Sequence, residues 1–326
     1  MIQRLMTVDE TAKLIAQGAP LLLAGSEAAM RKLPKGEWVG GTIPYFMDAN
    51  GGQLDQERVF VNELPDFVKL ASIGSYGPDR LAQITADEPD HGFSVIVIPA
   101  QSPVHLAFAE KAPRLPDIYL KPLIGWIAGT RLEDLGKQTA KTFVGRTGKA
   151  SETEAVVMHC ALPKGKAARV DIINVFTQGD GDEIVFPETG FQAMECKVNG
   201  QKANFAEYLA AKKIDTRMPL VANYSGAMIN TSFQSVDAAR RTVHFYAPVF
   251  DRVAYKLARP IADYSAEFAK AMGSRSVNPV FCCNCILNYL YGSLEGKKTG
   301  SMVGPITFGE VAYQLVNQTM AYLAIV

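Results

Sequence analysis

The residues whose type and spacing most suggest chemistry are the thiols. Cys282-Cys283-Asn284-Cys285 places three of the five cysteines within four positions, and Cys282 with Cys285 has Cys-x-x-Cys spacing. A structural zinc site takes four ligands, usually from two separated pairs, and the chain has no second pair. A redox pair at a strand-to-helix junction remains open, because a helix start lowers a thiol pKa. If the segment is extended, Cys283 and Cys285 share one face and Cys282 faces the other, as buried and inert thiols. His159-Cys160 suggests a nucleophile with its base, but neighbours on a strand project to opposite faces and do not pair.

Glu310 has the most defined setting among the carboxylates. It follows Gly309 at the expected first turn of a terminal helix, where unpaired N–H groups favour a negative charge. The alternative is that it faces a pocket at a strand end and holds an amine or a water. Arg131 and Glu133 occupy the corresponding place after Gly129, with the same two readings. Trp126, between Gly125 and Gly129, either paves such a pocket or packs in the core. The candidate ligand-binding set is therefore Gly125, Trp126, Gly129, Arg131, Gly309 and Glu310, with no catalytic residue and no metal ligand assigned. Dinucleotide, P-loop, Gly-x-Ser-x-Gly and His-Glu-x-x-His signatures are absent. Gly179-Asp180-Gly181-Asp182 lacks the bidentate glutamate of an EF-hand and reads as a hairpin turn.

These residues must be positioned by elements that the sequence marks in part. Thr7 and Glu10 have capping-box spacing and open a first helix that stops near Gly18. Leu21–Gly25, Arg58–Val61 and above all Phe93–Ile98 read as strands, the last buried on both faces. Ser102-Pro103 caps a helix running to about Lys111, and Thr130 with Glu133 caps a short one closed by Gly136. From about residue 140 the chain becomes strand-rich. Glu154–Ala161 is a strand, Arg169–Thr177 and Ile184–Phe186 form a hairpin, and Arg241–Phe250 pairs with Arg252–Leu257. Helices follow over 204–213 and 265–272, then a strand at 279–283, a helix to Tyr291 and a strand over 302–308. The terminal helix from Glu310 carries Val311, Leu315 and Tyr322 on one face. One pattern recurs three times: Val39-Gly40-Gly41-Thr42-Ile43, Ile124-Gly125-Trp126-Ile127 and Val303-Gly304-Pro305-Ile306, a weak sign of internal duplication.

Composition bounds the function. In 326 residues the 33 Lys+Arg balance the 33 Asp+Glu, so no overall positive field recruits nucleic acid or an anionic membrane. No apolar run reaches the ~18–20 residues of a membrane helix, and the first residues form no secretory segment. An odd count of five cysteines does not make a disulfide framework. The expected compartment is the cytoplasm.

Ile184 to Leu209 resembles a FIST C-terminal domain, with Val198-Asn199-Gly200-Gln201-Lys202-Ala203 matching that family's asparagine–glycine turn before a short helix. Phe281-Cys282-Cys283 and Met302 to Glu310 resemble its closing strand and glycine–aromatic–glycine–glutamate end. Pro122 to Gly129 is similar to the FIST N-terminal motif. The resemblance implies a cytoplasmic sensory module of bacterial signalling that binds amino acids or related metabolites and passes its signal to a separate partner protein. Some FIST-type proteins are similar to haem-binding gas sensors, for which His159 and His105 are the histidines in structured segments. The expectation is a mixed α/β (α+β) protein of two strand-rich lobes, with helices covering the sheets. Residues 1–150 form the first lobe, with 1–54 as an extension, and 151–326 the second. Its expected function is small-molecule binding without metal or cofactor; the alternatives are an enzyme using a cysteine or a carboxylate pair, or a haem-binding gas sensor.

Overall fold

The computed structural model describes residues 1–224, 226–273 and 278–326. Three six-stranded sheets have the same strand order. In the first, the edge strand Gln3–Met6 leads through the helix Val8–Ile15 to an inner strand, Leu21–Gly25. The helix Glu27–Met30 then crosses to a second inner strand, Trp38–Thr42, parallel to the first. The strand Val59–Glu63 closes the unit by pairing antiparallel with both the edge and the first inner strand. In the second unit the same roles fall to Lys69–Tyr76 (edge), Gly92–Pro99 and Leu123–Ala128 (inner) and Ala155–Ala161 (closing). In the third they fall to Ala168–Ile173, Phe281–Cys285, Gly304–Thr307 and Met320–Ile325.

The sixfold count is reached by exchange. Each unit sends out a hairpin after its second inner strand, and that hairpin completes another unit's sheet. Tyr45–Asp48 of the first unit pairs with Gly304–Thr307 of the third, and Thr142–Val144 of the second pairs with Trp38–Thr42 of the first. Glu310–Ala312 of the third pairs with Leu123–Ala128 of the second. The exchange is cyclic.

The threefold glycine pattern has one physical cause. Gly40, Gly125 and Gly304 stand on the three second inner strands, where a Cβ would run into the carbonyl oxygen of Leu23, Ile96 or Cys282 on the parallel neighbour. Only glycine permits that approach. The inner faces of all three sheets meet in one core, where Leu22, Phe60, Val97, Trp126, Phe281, Cys283 and Ile306 pack together. The outer faces are covered by helices. Leu21, Leu23 and Trp38 pack on Leu14 and Ile15, Ile96 and Ile98 on Val104 and Phe108, and Cys282 and Tyr322 on Phe268. The fold is thus mixed α+β with helices over the sheets, as the sequence suggests. Within the strand Phe281–Cys285, Cys283 and Cys285 face the shared core and Cys282 the other side.

Only the third unit carries a large insertion, between its edge strand and first inner strand. This insertion supplies a fourth six-stranded sheet and a three-stranded sheet of Gly190–Ala193, Thr242–Val249 and Phe233–Asp237. Buried amides tie it to the core. Asn230 Nδ2 donates to the carbonyls of Asn317 and Gln318, and the Ser232 N–H donates to Asn317 Oδ1 at 3.1 Å.

Several expectations are corrected here. The segment from Glu310 forms three strands, Glu310–Ala312, Gln314–Val316 and Met320–Ile325, and no helix. Tyr313 and Gln318 adopt positive φ (63° and 48°), turning the chain where a helix would have to continue. Ala168–Ile173 and Ile184–Val185 do not form a hairpin, because the first joins the third core sheet and the second lies in the insertion. Thr242–Val249 and Ala254–Leu257 are strands of different sheets and not a pair. Thr130 does not cap a helix; one 3-10 turn, Leu132–Asp134, follows Arg131 without a side-chain cap. The hairpin exchange also means that the boundary expected at 150/151 parts none of the core sheets cleanly. Residues 1–54, expected as an extension, build the first unit except for its closing strand Val59–Glu63, and a hairpin of the third sheet.

Candidate functional site

Two helix starts and one loop converge beneath the insertion. In the second unit Ser102 caps the helix Pro103–Lys111 by accepting from the His105 N–H, which fixes His105 in the first helical turn. In the third unit the equivalent position before Ile286–Tyr291 is Cys285, where the other two units have a capping serine, Ser26 or Ser102. Phe308 and Asn317 arrive from the exchanged segment of the third unit. The three-stranded sheet of the insertion lies over them and adds Phe191, Gln192, Gln234, His244, Phe245 and Tyr246. The result is a cavity of about 320 Å³ whose remaining walls include Leu106, Leu132, Leu135, Leu287 and Leu290.

No Lys, Arg, Asp or Glu lines this cavity among the described residues. Its polar side chains are uncharged amides, a tyrosine, a cysteine and the histidines His105 and His244, and among them His105 and Asn317 are buried. His105 is buried, its Nδ1 accepts from the Gln101 N–H at 3.2 Å, and its Nε2 has no partner. Because Nδ1 accepts, the proton of the neutral ring sits on Nε2. Burial pushes the His105 pKa down to about 4, so the ring is neutral near pH 7. Asn317 is also buried. Its Oδ1 is occupied by Ser232, which identifies the other amide atom as Nδ2, and that donor too lacks a partner. Among the more exposed lining residues are Leu106, Leu135 and Leu290, 44%, 48% and 43% exposed, together with the polar Gln192 and Gln234.

Cys285 lines the cavity, and its thiol lies against the Glu310 carboxyl. Glu310 is fully buried, with Oε2 accepting from Thr319 Oγ1 at 2.8 Å and Oε1 unpartnered. Burial holds its pKa well above the carboxylate range, and burial together with Glu310 holds the Cys285 thiol well above its usual value. The pair is a neutral acid beside a neutral thiol. All five cysteines are free and buried.

Glu310 and Trp126 come together as cross-strand partners, next to Gly125, but Trp126 stacks on Phe281 at 5.4 Å in the shared core. Gly129 abuts the Phe308 ring, and the Gly309 carbonyl accepts from the Ile127 N–H. Arg131 forms ion pairs with Glu133 and Asp134 beside a crevice of about 30 Å³ that it shares with Ser26, Glu27 and Gly129. None of these six predicted residues lines the cavity beneath the insertion. Sequence reasoning missed Asn317 as a site residue and noted His105 only as a histidine in a structured segment. The Ser102-Pro103 helix start was the one local signal available for His105.

His159 is spoken for elsewhere. Its Nε2 lies 2.8 Å from Tyr76 Oη and its Nδ1 2.7 Å from Ser94 Oγ, with Asp87 accepting from Tyr76 at 2.7 Å. Among the described residues no group of three or more His, Cys, Asp or Glu side chains is placed to hold a metal ion. Nor is any described helix long and apolar enough to cross a membrane.

Fold and cavity together define a class: a threefold interlocked α+β protein with one of its unit junctions roofed over a cavity. The chain belongs to a family of unknown function, DUF6976, whose family model matches residues 6–326. That match overturns the resemblance to FIST domains. The residues that carried the resemblance have general explanations: Asn199-Gly200 is the turn of an ordinary hairpin, and the glycine-bearing strands are required by close backbone approach. No curated protein and no solved structure matches the chain.

Proposed function

We propose that this protein binds a small molecule with a mainly apolar body in the cavity between its second and third units. The observation that carries this reading is the cavity itself: about 320 Å³, within the usual ~300–1,000 Å³ of small-molecule sites, lined mainly by apolar side chains and including two residues, His105 and Asn317, with unpartnered buried donors. Binding is supported over catalysis by Cys285 and Glu310, which are both held in their neutral forms and offer neither a thiolate nor a carboxylate. A thermal-shift screen of a metabolite library tests the reading, because a ligand of the native state raises the melting temperature by mass action. Hits should lose their effect in Leu290→Arg, which puts a charge at the exposed rim while sparing the core. A library that shifts nothing, or hits unaffected by the rim charge, would overturn the reading.

A further inference from the structure

The same cavity constrains the ligand's polar groups, and the inference below rests on the binding reading above. Its walls carry no Lys, Arg, Asp or Glu side chain among the described residues, and Cys285, with Glu310 behind it, is held neutral. A charged ligand would lose its hydration there with no Lys, Arg, Asp or Glu counter-charge on the wall to offset the loss. Two buried groups on lining residues are open donors: His105 and Asn317 both line the cavity, and His105 Nε2–H and Asn317 Nδ2–H are each buried without a partner. A buried donor left unmade is costly in the empty protein, so a ligand acceptor that meets it recovers more than an ordinary exposed contact.

We infer that the cavity selects uncharged molecules bearing a hydrogen-bond acceptor of carbonyl type, met by His105 Nε2–H and Asn317 Nδ2–H, on an apolar frame held by Leu106, Phe191 and Leu290. Acids and amines of the same shape are rejected by desolvation, and pure hydrocarbons forfeit the two donors.

Four probes on one frame separate these terms: 2-acetylnaphthalene, 2-ethylnaphthalene, 2-naphthoate and 2-naphthylmethylammonium, titrated against the full chain by ligand-observed NMR. The ketone should bind about tenfold or more tightly than the ethyl isostere, and both ions more weakly than either neutral probe. His105→Phe keeps the ring against Phe191, and Asn317→Asp keeps the acceptor for Ser232. Each should erase most of the ketone's advantage over 2-ethylnaphthalene, both probes being compared on the same variant. Equal binding of ketone and hydrocarbon, or tightest binding of an ion, would overturn the donor assignment while leaving the cavity a binding site. Failure of every probe, alongside an unproductive library, would remove both readings.

Discussion

Burial shifts Glu88, His105 and His159 toward their neutral forms, and these shifts set opposing pH slopes. Burial raises Glu88 from 4.5 to about 7. Between those values the unfolded chain gives up a proton that the folded chain keeps, so stability from this group is full below pH 4.5 and declines as pH rises toward 7. Glu88→Gln should therefore raise stability by on the order of 3 kcal/mol at pH 8 and change little at pH 4, as read from denaturant midpoints at both pH values. His105 and His159 act in the other direction. Both are lowered from 6.5 to about 4 by burial, so their contribution is intact above pH 6.5 and is lost as pH falls toward 4. His105→Phe should flatten that acid limb, and a limb of unchanged slope would place its origin elsewhere. Little of this was legible in the sequence. His159 next to Cys160 invites a catalytic reading until the strand sets the ring between Tyr76 and Ser94.

At the scale of elements, local signals were legible where one stretch of chain decides the outcome. The capping box at Thr7 and Glu10, the Ser102 cap and the doubly buried Gly92–Pro99 strand all form as their residues dictate. The recurring glycine was visible too, but its reason was not, since the carbonyl it must clear belongs to another strand. Gly125→Ala should cost roughly 3 kcal/mol or more, because a methyl would displace the Ile96 carbonyl. Gly181→Ala, with open space around it, should stay within about 0.5 kcal/mol. Comparable losses at both sites would mean that strand proximity is not what selects glycine. Ser102→Ala should cost about 1 kcal/mol through the lost cap and displace the His105 ring from its position in the cavity wall. The segment from Glu310 misled because Val311, Leu315 and Tyr322 satisfy a helical period as well as strand faces, and periodicity alone does not arbitrate.

Across the whole molecule, the cyclic exchange of hairpins is the feature least accessible to sequence. Residues 45–48 pair with residues 304–307, a contact that leaves no local trace in either segment. Interlocking has a mechanical consequence. Chains cut at 150/151 would leave the first sheet nearly whole but strip the second of its closing strand, and would part the third sheet from its hairpin. The two halves expressed separately should show no cooperative thermal transition, and mixing them from denaturant should restore one. Two independent transitions, one per half, would contradict the interlock.

The insertion belongs to a single unit, and this makes the junction it covers unlike the related one. Where the first unit's helix start meets the second unit's outgoing segment, the related crevice has about 30 Å³, room for roughly one water. Of these two related junctions, the one beneath the insertion opens onto a chamber with a lid of its own. Saturation should arrive at one equivalent per chain.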